Sequence, residues 1–197
     1  MFSMRRHANF IKRFKSVSCL FTASILFPMQ ISAAVSDYDA LVIEARGGNS
    51  APLLRYLEDQ GKKSALTPNQ VADWLQVSGW VENNDKTTIE IWQRYRGQMD
   101  VPARGKVAAA RAYRNQKNWN DSLAVWERVL QEEPDNVDVR TGWIMTLADA
   151  RYNQQALTEA NKWAQAHPGA DSDALLAYVY HSQGKNWDAL LVASQAD

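Results

Sequence analysis

The feature that most constrains the fold of this sequence is a helical hairpin, residues 103–136, that recurs along the chain with a period of about 34 residues. Both halves of the hairpin carry apolar residues at helical spacing, and residues 115–118 form a polar break between them. Pro134 ends the second half, because proline lacks an amide hydrogen and cannot continue a helix. The segment therefore predicts two antiparallel helices joined by a short turn.

The period is visible at the positions where such helices pack. A shift of one period forward places Pro134 on Pro168, and a shift of one period back places Trp126 on Trp92. A small residue recurs in the same way, at Ser122 and Ala156, where two helices must approach closely. Four unrelated hairpins would not keep small, aromatic and proline positions at one spacing, so the sequence indicates a repeat array.

A helix–turn–helix unit of about 34 residues is typical of the tetratricopeptide repeat (TPR). We therefore expect an all-α fold, a right-handed TPR solenoid of about four and a half units, with no β-barrel in this chain. The predicted units are residues 35–68, 69–102, 103–136 and 137–170, followed by a partial unit at 170–197 whose register slips by one residue. Each unit of such an array packs only on its neighbours, so its stability is a sum of local interfaces.

Residues 1–34 have the pattern of a signal peptide. A basic stretch with no acidic residue precedes an apolar run at 17–31, and Ser32-Ala33-Ala34 supplies small residues for cleavage after Ala34. A transmembrane anchor is the alternative, but the run is interrupted by Pro28 and is shorter than the roughly 20 residues that span a bilayer. We expect an exported, periplasmic protein.

Cleavage would change both charge and cysteine content. The whole chain has 22 basic and 22 acidic residues, and the segment 1–34 holds five of the basic ones, so the mature chain has a net charge of −5. This acidic balance argues against nucleic acid as a partner. The only cysteine, Cys19, leaves with the signal, so helix packing alone must stabilise the exported chain.

The sequence resembles the N-terminal periplasmic part of the outer-membrane exporters of poly-β-1,6-N-acetyl-D-glucosamine (PGA). Several of the resembling segments go beyond what the repeat pattern requires. They are YDALVIEAR (38–46), NQVADWLQV (69–77), VPARG (101–105), AYRNQKNW (112–119) and TLADA (146–150).

The resemblance implies an N-terminal TPR domain that is joined, in that family, to a C-terminal β-barrel. It also implies two partners, a periplasmic polysaccharide deacetylase and partly deacetylated poly-N-acetylglucosamine, which meet the TPR domain before export. The alternating segments of a barrel are missing from this sequence, so we expect that the chain alone does not export polymer.

The sequence offers no convincing catalytic or metal site. His167 precedes a turn proline, and His181 lies in the last unit without a second histidine or a cysteine at metal spacing. Asp171 and Asp173 flank a helix start, where the helix dipole ordinarily favours carboxylates. We expect a protein that is not an enzyme and has no cofactor and no metal.

A mixed-charge surface is expected where the first helix of each unit, helix A, lines the concave side of the array. Trp80 is assigned to this face at the twelfth position of its unit, whereas Trp92, Trp119, Trp126, Trp143 and Trp163 are assigned to packing positions. Asp39 and Arg46 of the first unit share the face. The candidate polymer- or partner-binding residues are Asp73, Trp80, Arg104, Arg111, Arg114, Asp138, Asp149 and Tyr178.

These residues leave two functions open. Arg104, Arg111 and Arg114 would grip carboxylates of a partner protein, since guanidinium groups pair with carboxylates in bidentate fashion. Alternatively, the aspartates would attract glucosamine ammonium groups while Trp80 or Tyr178 stacks on sugar rings. A generic periplasmic TPR adaptor, unrelated to the exporters, is a third interpretation.

Overall fold

The computed structural model describes residues 37–63 and 66–194, and the predicted signal at 1–34 lies outside them. The described residues form ten α-helices and no strand, which confirms the all-α prediction for this part of the chain. The helices are α1 (Asp37–Arg46), α2 (Ala51–Lys63), α3 (Pro68–Ser78), α4 (Asp85–Tyr95), α5 (Ala103–Asn115), α6 (Trp119–Glu132), α7 (Val137–Asp149), α8 (Asn153–Ala166), α9 (Ala170–Ser182) and α10 (Asn186–Ala193).

The helices stack in chain order as consecutive antiparallel pairs. Each even-numbered helix from α2 to α8 packs on the odd-numbered helices before and after it, and the odd-numbered helices α3, α5, α7 and α9 also pack on one another. The odd-numbered helices therefore form one continuous layer, here called the helix A face. This layer carries most of the candidate residues.

The turns between paired helices repeat one backbone feature. A residue with positive φ follows helix A in four successive units, with φ of 59° at Asn83, 58° at Lys117, 67° at Arg151 and 77° at Gly184. The first three are evenly spaced by one period, and Gly184 comes a residue early, which is the register slip that the sequence indicates for the last unit. Three of the four are not glycine, although the left-handed region ordinarily disfavours side chains.

Helix ends follow the chemistry that the sequence predicts. The Thr67 hydroxyl accepts from the Gln70 amide, and the Gln70 side chain accepts from the Thr67 amide, so both halves of a capping box are present. Pro68 occupies the first turn of α3, where its missing amide hydrogen costs nothing. Gly48 follows α1 with a φ of 102°, which a residue with a Cβ rarely adopts.

The core is built from the positions that recur in the sequence. Trp126 is fully buried, and its Nε1 donates to Thr146 Oγ1 on the next unit at 3.0 Å. Ser122 is also buried, and its hydroxyl donates to the Ala110 carbonyl at 2.8 Å. Ala156, the equivalent of Ser122 one unit later, is buried as well. The small-residue positions thus hold the two helices of a unit close together, as predicted.

Candidate functional site: a groove along α5

The helix A face contains a groove that follows α5. One cavity of about 300 Å³ lies towards the C-terminal end of α5 and is lined mainly from α3, α5, α7 and the turn after α3, with Asp85 of α4 and Trp126 of α6. A second cavity of about 260 Å³ lies towards Ala103 and reaches Glu133 at the end of α6. Both are lined by Arg104, Arg111 and Asp138, so they form one continuous groove.

Trp80 lines the first cavity, but not from the position that the sequence indicates. Helix α3 ends at Ser78 and is capped at Gly79, so Trp80 lies in the following turn. The assignment of Trp80 to helix A is therefore wrong, because the chain leaves the helix two residues earlier. The residue is 48% exposed and still borders the groove.

Asp73 and Arg104 do not face the groove as free charges, because they pair with each other across two units. Arg104 Nε and Nη2 donate to Asp73 Oδ1 at 3.1 and 3.0 Å, and Tyr38 OH donates to Asp73 Oδ2 at 2.7 Å. Burial raises the pKa of Tyr38, and the hydrogen bond to Asp73 raises it further. Tyr38, Asp73 and Arg104 form what we call the first polar bridge, which joins α1, α3 and α5.

A second polar bridge joins α5, α7 and α9. Arg114 Nε donates to Asp149 Oδ2 at 2.7 Å, Arg114 Nη2 donates to the Tyr178 oxygen at 2.9 Å, and Tyr178 OH donates to Asp149 Oδ1 at 2.5 Å. Burial raises the pKa of Tyr178, as does its hydrogen bond to Asp149, while the positive charge of Arg114 opposes the rise.

The two bridges use the same three residue types and meet α5 at its opposite ends. Each links three successive units through a central aspartate, and α5 supplies the arginine to both. Five of the eight candidate residues are thus engaged in contacts within the array: Asp73, Arg104, Arg114, Asp149 and Tyr178. Tyr38, which completes the first bridge, is absent from the predicted set, although its spacing of 35 residues from Asp73 matches that of Arg114 from Asp149.

Arg111 and Asp138 are the charged candidates that stay available in the groove. Both are exposed, and neither side chain forms a hydrogen bond or ion pair with another residue of the described ranges 37–63 and 66–194. Gln76 and Asn115 line the same cavity with amide groups, and Asn115 donates to Asp85 at 3.0 Å. From the described residues, the groove therefore offers an unpaired cation, carboxylates and amides to a ligand.

The other predicted positions lie elsewhere. Neither cavity is lined by Asp39 or Arg46 of α1. Trp92, Trp126, Trp143 and Trp163 are buried as predicted, and Trp119 is half-buried. Trp187 on α10 is 84% exposed, and the sequence does not single it out because the irregular last unit gives no repeat signal there.

Within the described ranges, no cluster of three histidine, cysteine, aspartate or glutamate side chains is arranged to hold a metal ion. None of the helices described is long and apolar enough to cross a membrane.

The resemblance noted in the sequence is confirmed by comparison with known proteins. The chain is 43% identical over 182 residues to the poly-beta-1,6-N-acetyl-D-glucosamine export protein of Escherichia coli strain K12, and equally to that of Escherichia coli O157:H7. The match covers 90% of this chain and 22% of each relative, so the chain spans less than a quarter of their length. No family model matches.

The fold also has a counterpart among solved structures. The structure described as "MamA AMB-1 P212121", a TPR-like helical repeat protein, superposes with a TM-score of 0.65 and 14% identity, over 81% of this chain and 94% of that one. At that identity the likeness concerns the fold alone. The chain is thus a TPR-like helical repeat array that is similar in sequence to poly-beta-1,6-N-acetyl-D-glucosamine export proteins.

Proposed function

We propose that this chain is a periplasmic, non-enzymatic TPR scaffold that serves the export of poly-β-1,6-N-acetyl-D-glucosamine across the outer membrane in biofilm formation. Its task is to bring a polysaccharide deacetylase, partly deacetylated polymer, or both to the exporter. The observation that carries the proposal is the 43% identity to export proteins over 90% of the chain.

The architecture supports a docking role. A TPR array presents an extended surface on rigid, repeated helices, which suits recruitment better than catalysis. Two polar bridges fix three helices each, so the groove along α5 has preformed walls. Preformed walls reduce the ordering cost of binding.

A generic periplasmic adaptor is the second candidate function. It is favoured by the TPR-like fold itself, because such arrays bind many unrelated proteins. The two candidates differ in what the cell loses when the array is removed.

The test is an in-frame removal of codons 35–194 in the organism that encodes the chain, with the undeleted gene restored from a plasmid as the control. Loss of surface polymer, with polymer accumulating inside the cell, supports the export scaffold. Unchanged surface polymer would exclude it and leave the generic adaptor. Capture of the cell's own deacetylase by the purified chain separates enzyme recruitment from polymer recruitment.

A further inference from the structure

The charges of the groove fall into two classes. Arg104 and Arg114 are held by aspartates in the polar bridges, whereas Arg111, which lies between them on α5, has no partner among the described residues. The three arginines are seven and three residues apart, so they project from one side of the helix. Arg111 is therefore an exposed cation in the middle of a preformed groove.

This cation selects among the possible ligands. A glucosamine polymer carries positive ammonium groups, and Arg111 would repel them at short range. An acidic group is attracted instead, and a guanidinium is suited to bind a carboxylate through two hydrogen bonds. Arg111 is thus complementary to a carboxylate and not to the ammonium groups of the deacetylated polymer.

The ends of the groove differ from its centre. Trp80 and Met145 line only the cavity at the C-terminal end of α5, and they offer apolar surface there. Glu133 lines only the cavity at the N-terminal end, and Asp138 lines both. Asp85 and Arg114 also line the cavity at the C-terminal end, but Asp85 accepts from Asn115 and Arg114 is held in the second polar bridge. The groove therefore has an apolar end at Trp80, an unpaired cation and an unpaired carboxylate where the two cavities meet, and Glu133 at the other end.

The length of the groove fits a short peptide. Ala103 and Asn115 mark its extent on α5, a distance of about 18 Å at about 1.5 Å per helical residue. An extended chain of about five residues covers the same distance at about 3.3 Å per residue. The amides of Gln76 and Asn115 lie along this path and can pair with a peptide backbone.

We propose that the groove binds an extended segment of a partner protein that places an apolar side chain at Trp80 and, beyond it, neighbouring acidic and basic side chains at Arg111 and Asp138. This inference rests on the proposed scaffold function and names the chemistry of the partner that the scaffold recruits. Polymer, where it meets this chain, then does so outside the groove.

The probes are two pools of end-blocked, fluorescently labelled pentapeptides with random outer positions. One pool has glutamate fixed at the third position and the other has glutamine there. We expect the purified chain to bind the glutamate pool at least about fivefold more tightly, as measured by fluorescence anisotropy. Arg111→Gln should abolish the preference. Arg128→Gln, which removes an exposed arginine of α6 that does not line the groove, should keep it.

A second comparison tests Asp138, the unpaired carboxylate that lines both cavities. Within the glutamate pool, fixing lysine next to the acid should tighten binding to the wild type but not to Asp138→Asn. Equal binding of the glutamate and glutamine pools, or no binding of either, overturns the proposal. So does competition by glucosamine oligomers for the groove of the wild type.

The failures of the two proposals can be told apart. If neither pool binds but removal of codons 35–194 abolishes surface polymer, the export scaffold stands and the peptide inference falls. If the glutamate pool binds through Arg111 but surface polymer is unchanged by the removal, the peptide groove stands and the export scaffold falls.

Discussion

At the scale of single residues, Gly142 on α7 lies where no side chain fits. A Cβ built there would come within 2.4 Å of the Trp126 ring, which is fully buried and held by its hydrogen bond to Thr146. Gly142→Ala should therefore destabilise the fold by about 1–3 kcal/mol of overpacking, partly offset by the roughly 1 kcal/mol better helix propensity of alanine. Thermal and urea unfolding would measure the net loss.

Gly97 provides the matched control. A Cβ at Gly97 would meet nothing within 4 Å, and its φ is not in the left-handed region. Gly97→Ala should be neutral or slightly stabilising, since it reduces the freedom of the unfolded chain without a clash. A Gly142→Ala variant as stable as Gly97→Ala would contradict the close approach of α7 to Trp126.

The raised pKa of Tyr178 predicts that the fold loses stability at alkaline pH. Its pKa is raised in the folded state, mainly by burial and by the hydrogen bond to Asp149. The neutral phenol therefore stabilises the fold fully below the unfolded-state pKa of about 10, and this contribution is lost as the pH rises through the folded-state pKa. Tyr178→Phe should cost about 0.5–1.5 kcal/mol at pH 7 and should flatten the fall in stability above pH 10.

The measurement is the free energy of unfolding in urea between pH 7 and pH 11. Lys106, whose pKa is lowered by burial but raised overall by its hydrogen bonds to Glu132 and Asp100, titrates in the same range. The difference between wild type and Tyr178→Phe isolates the tyrosine. Tyr152→Phe, at an exposed position, is the control and should leave the pH profile as it is.

The sequence predicts some residues of the site and misses others for physical reasons. Trp126 and Ser122 follow from the period, because a repeat imposes the same packing at the same spacing. The Arg104–Asp73 pair does not follow, because it depends on the rotation of one unit on the next and on long side-chain rotamers. The sequence does not specify that rotation, so an arginine that pairs within the array cannot be distinguished there from one that stays unpaired.

At the scale of elements, α5 is anchored at both ends by the polar bridges. Arg104→Gln should cost about 1 kcal/mol, and Arg114→Gln about the same, since each pair is charge-assisted but partly exposed to water. The bridges share no residue and lie at opposite ends of the helix, so the two losses should add within about 0.5 kcal/mol. Urea unfolding of both single variants and the double variant measures this.

The same comparison of single and double variants should give a different result when both changes lie inside one bridge. Arg114→Gln combined with Asp149→Asn should cost less than the sum of the single changes, because either change alone breaks their shared 2.7 Å contact. Additivity within the bridge, or strong coupling between the bridges, would show that α5 is not held at two independent points.

Helix α5 also carries a buried cation, Lys106. Its side chain is 6% exposed and pairs with Asp100 and Glu132, whose side chains are 92% and 45% exposed. Lys106→Met should cost less than about 1 kcal/mol, because both carboxylates can return to water and an apolar chain of similar volume fills the site. Asp100→Asn with Glu132→Gln should cost more, about 1–3 kcal/mol, because it leaves a buried ammonium without charged partners.

Thermal unfolding of Lys106→Met and of the double carboxylate variant at pH 7 shows which change lowers the stability more. A Lys106→Met variant less stable than the double carboxylate variant would mean that the ion pairs themselves stabilise α5. The helix is predictable from the sequence as an element, but the burial of one lysine on it is not, because lysine is ordinarily exposed unless it is paired.

At the scale of the whole molecule, burial is uneven along the array. Helices α3, α5 and α7 each bury at least six residues, whereas α1 buries only Ala45 and α10 buries none. Local opening costs little free energy where few apolar contacts are lost. Amide hydrogen exchange should therefore be slowest in α5 and α7 and fastest in α1 and α10, and uniform protection would contradict a one-dimensional array.

Ala156 tests how a local defect spreads through such an array. It is fully buried on α8, which packs on α7 and α9, and Ala156→Leu should overpack these contacts by about 1–3 kcal/mol. Because each unit is stabilised by its neighbours, hydrogen exchange should quicken in α7 and α9 and stay unchanged in α3 and α4. Ala124→Leu, at an exposed position of α6, is the control and should change neither. Equally faster exchange in all helices would mean that the chain unfolds as a single cooperative unit. The rigidity of the groove would then depend on every unit of the array and not on α3, α5 and α7 alone.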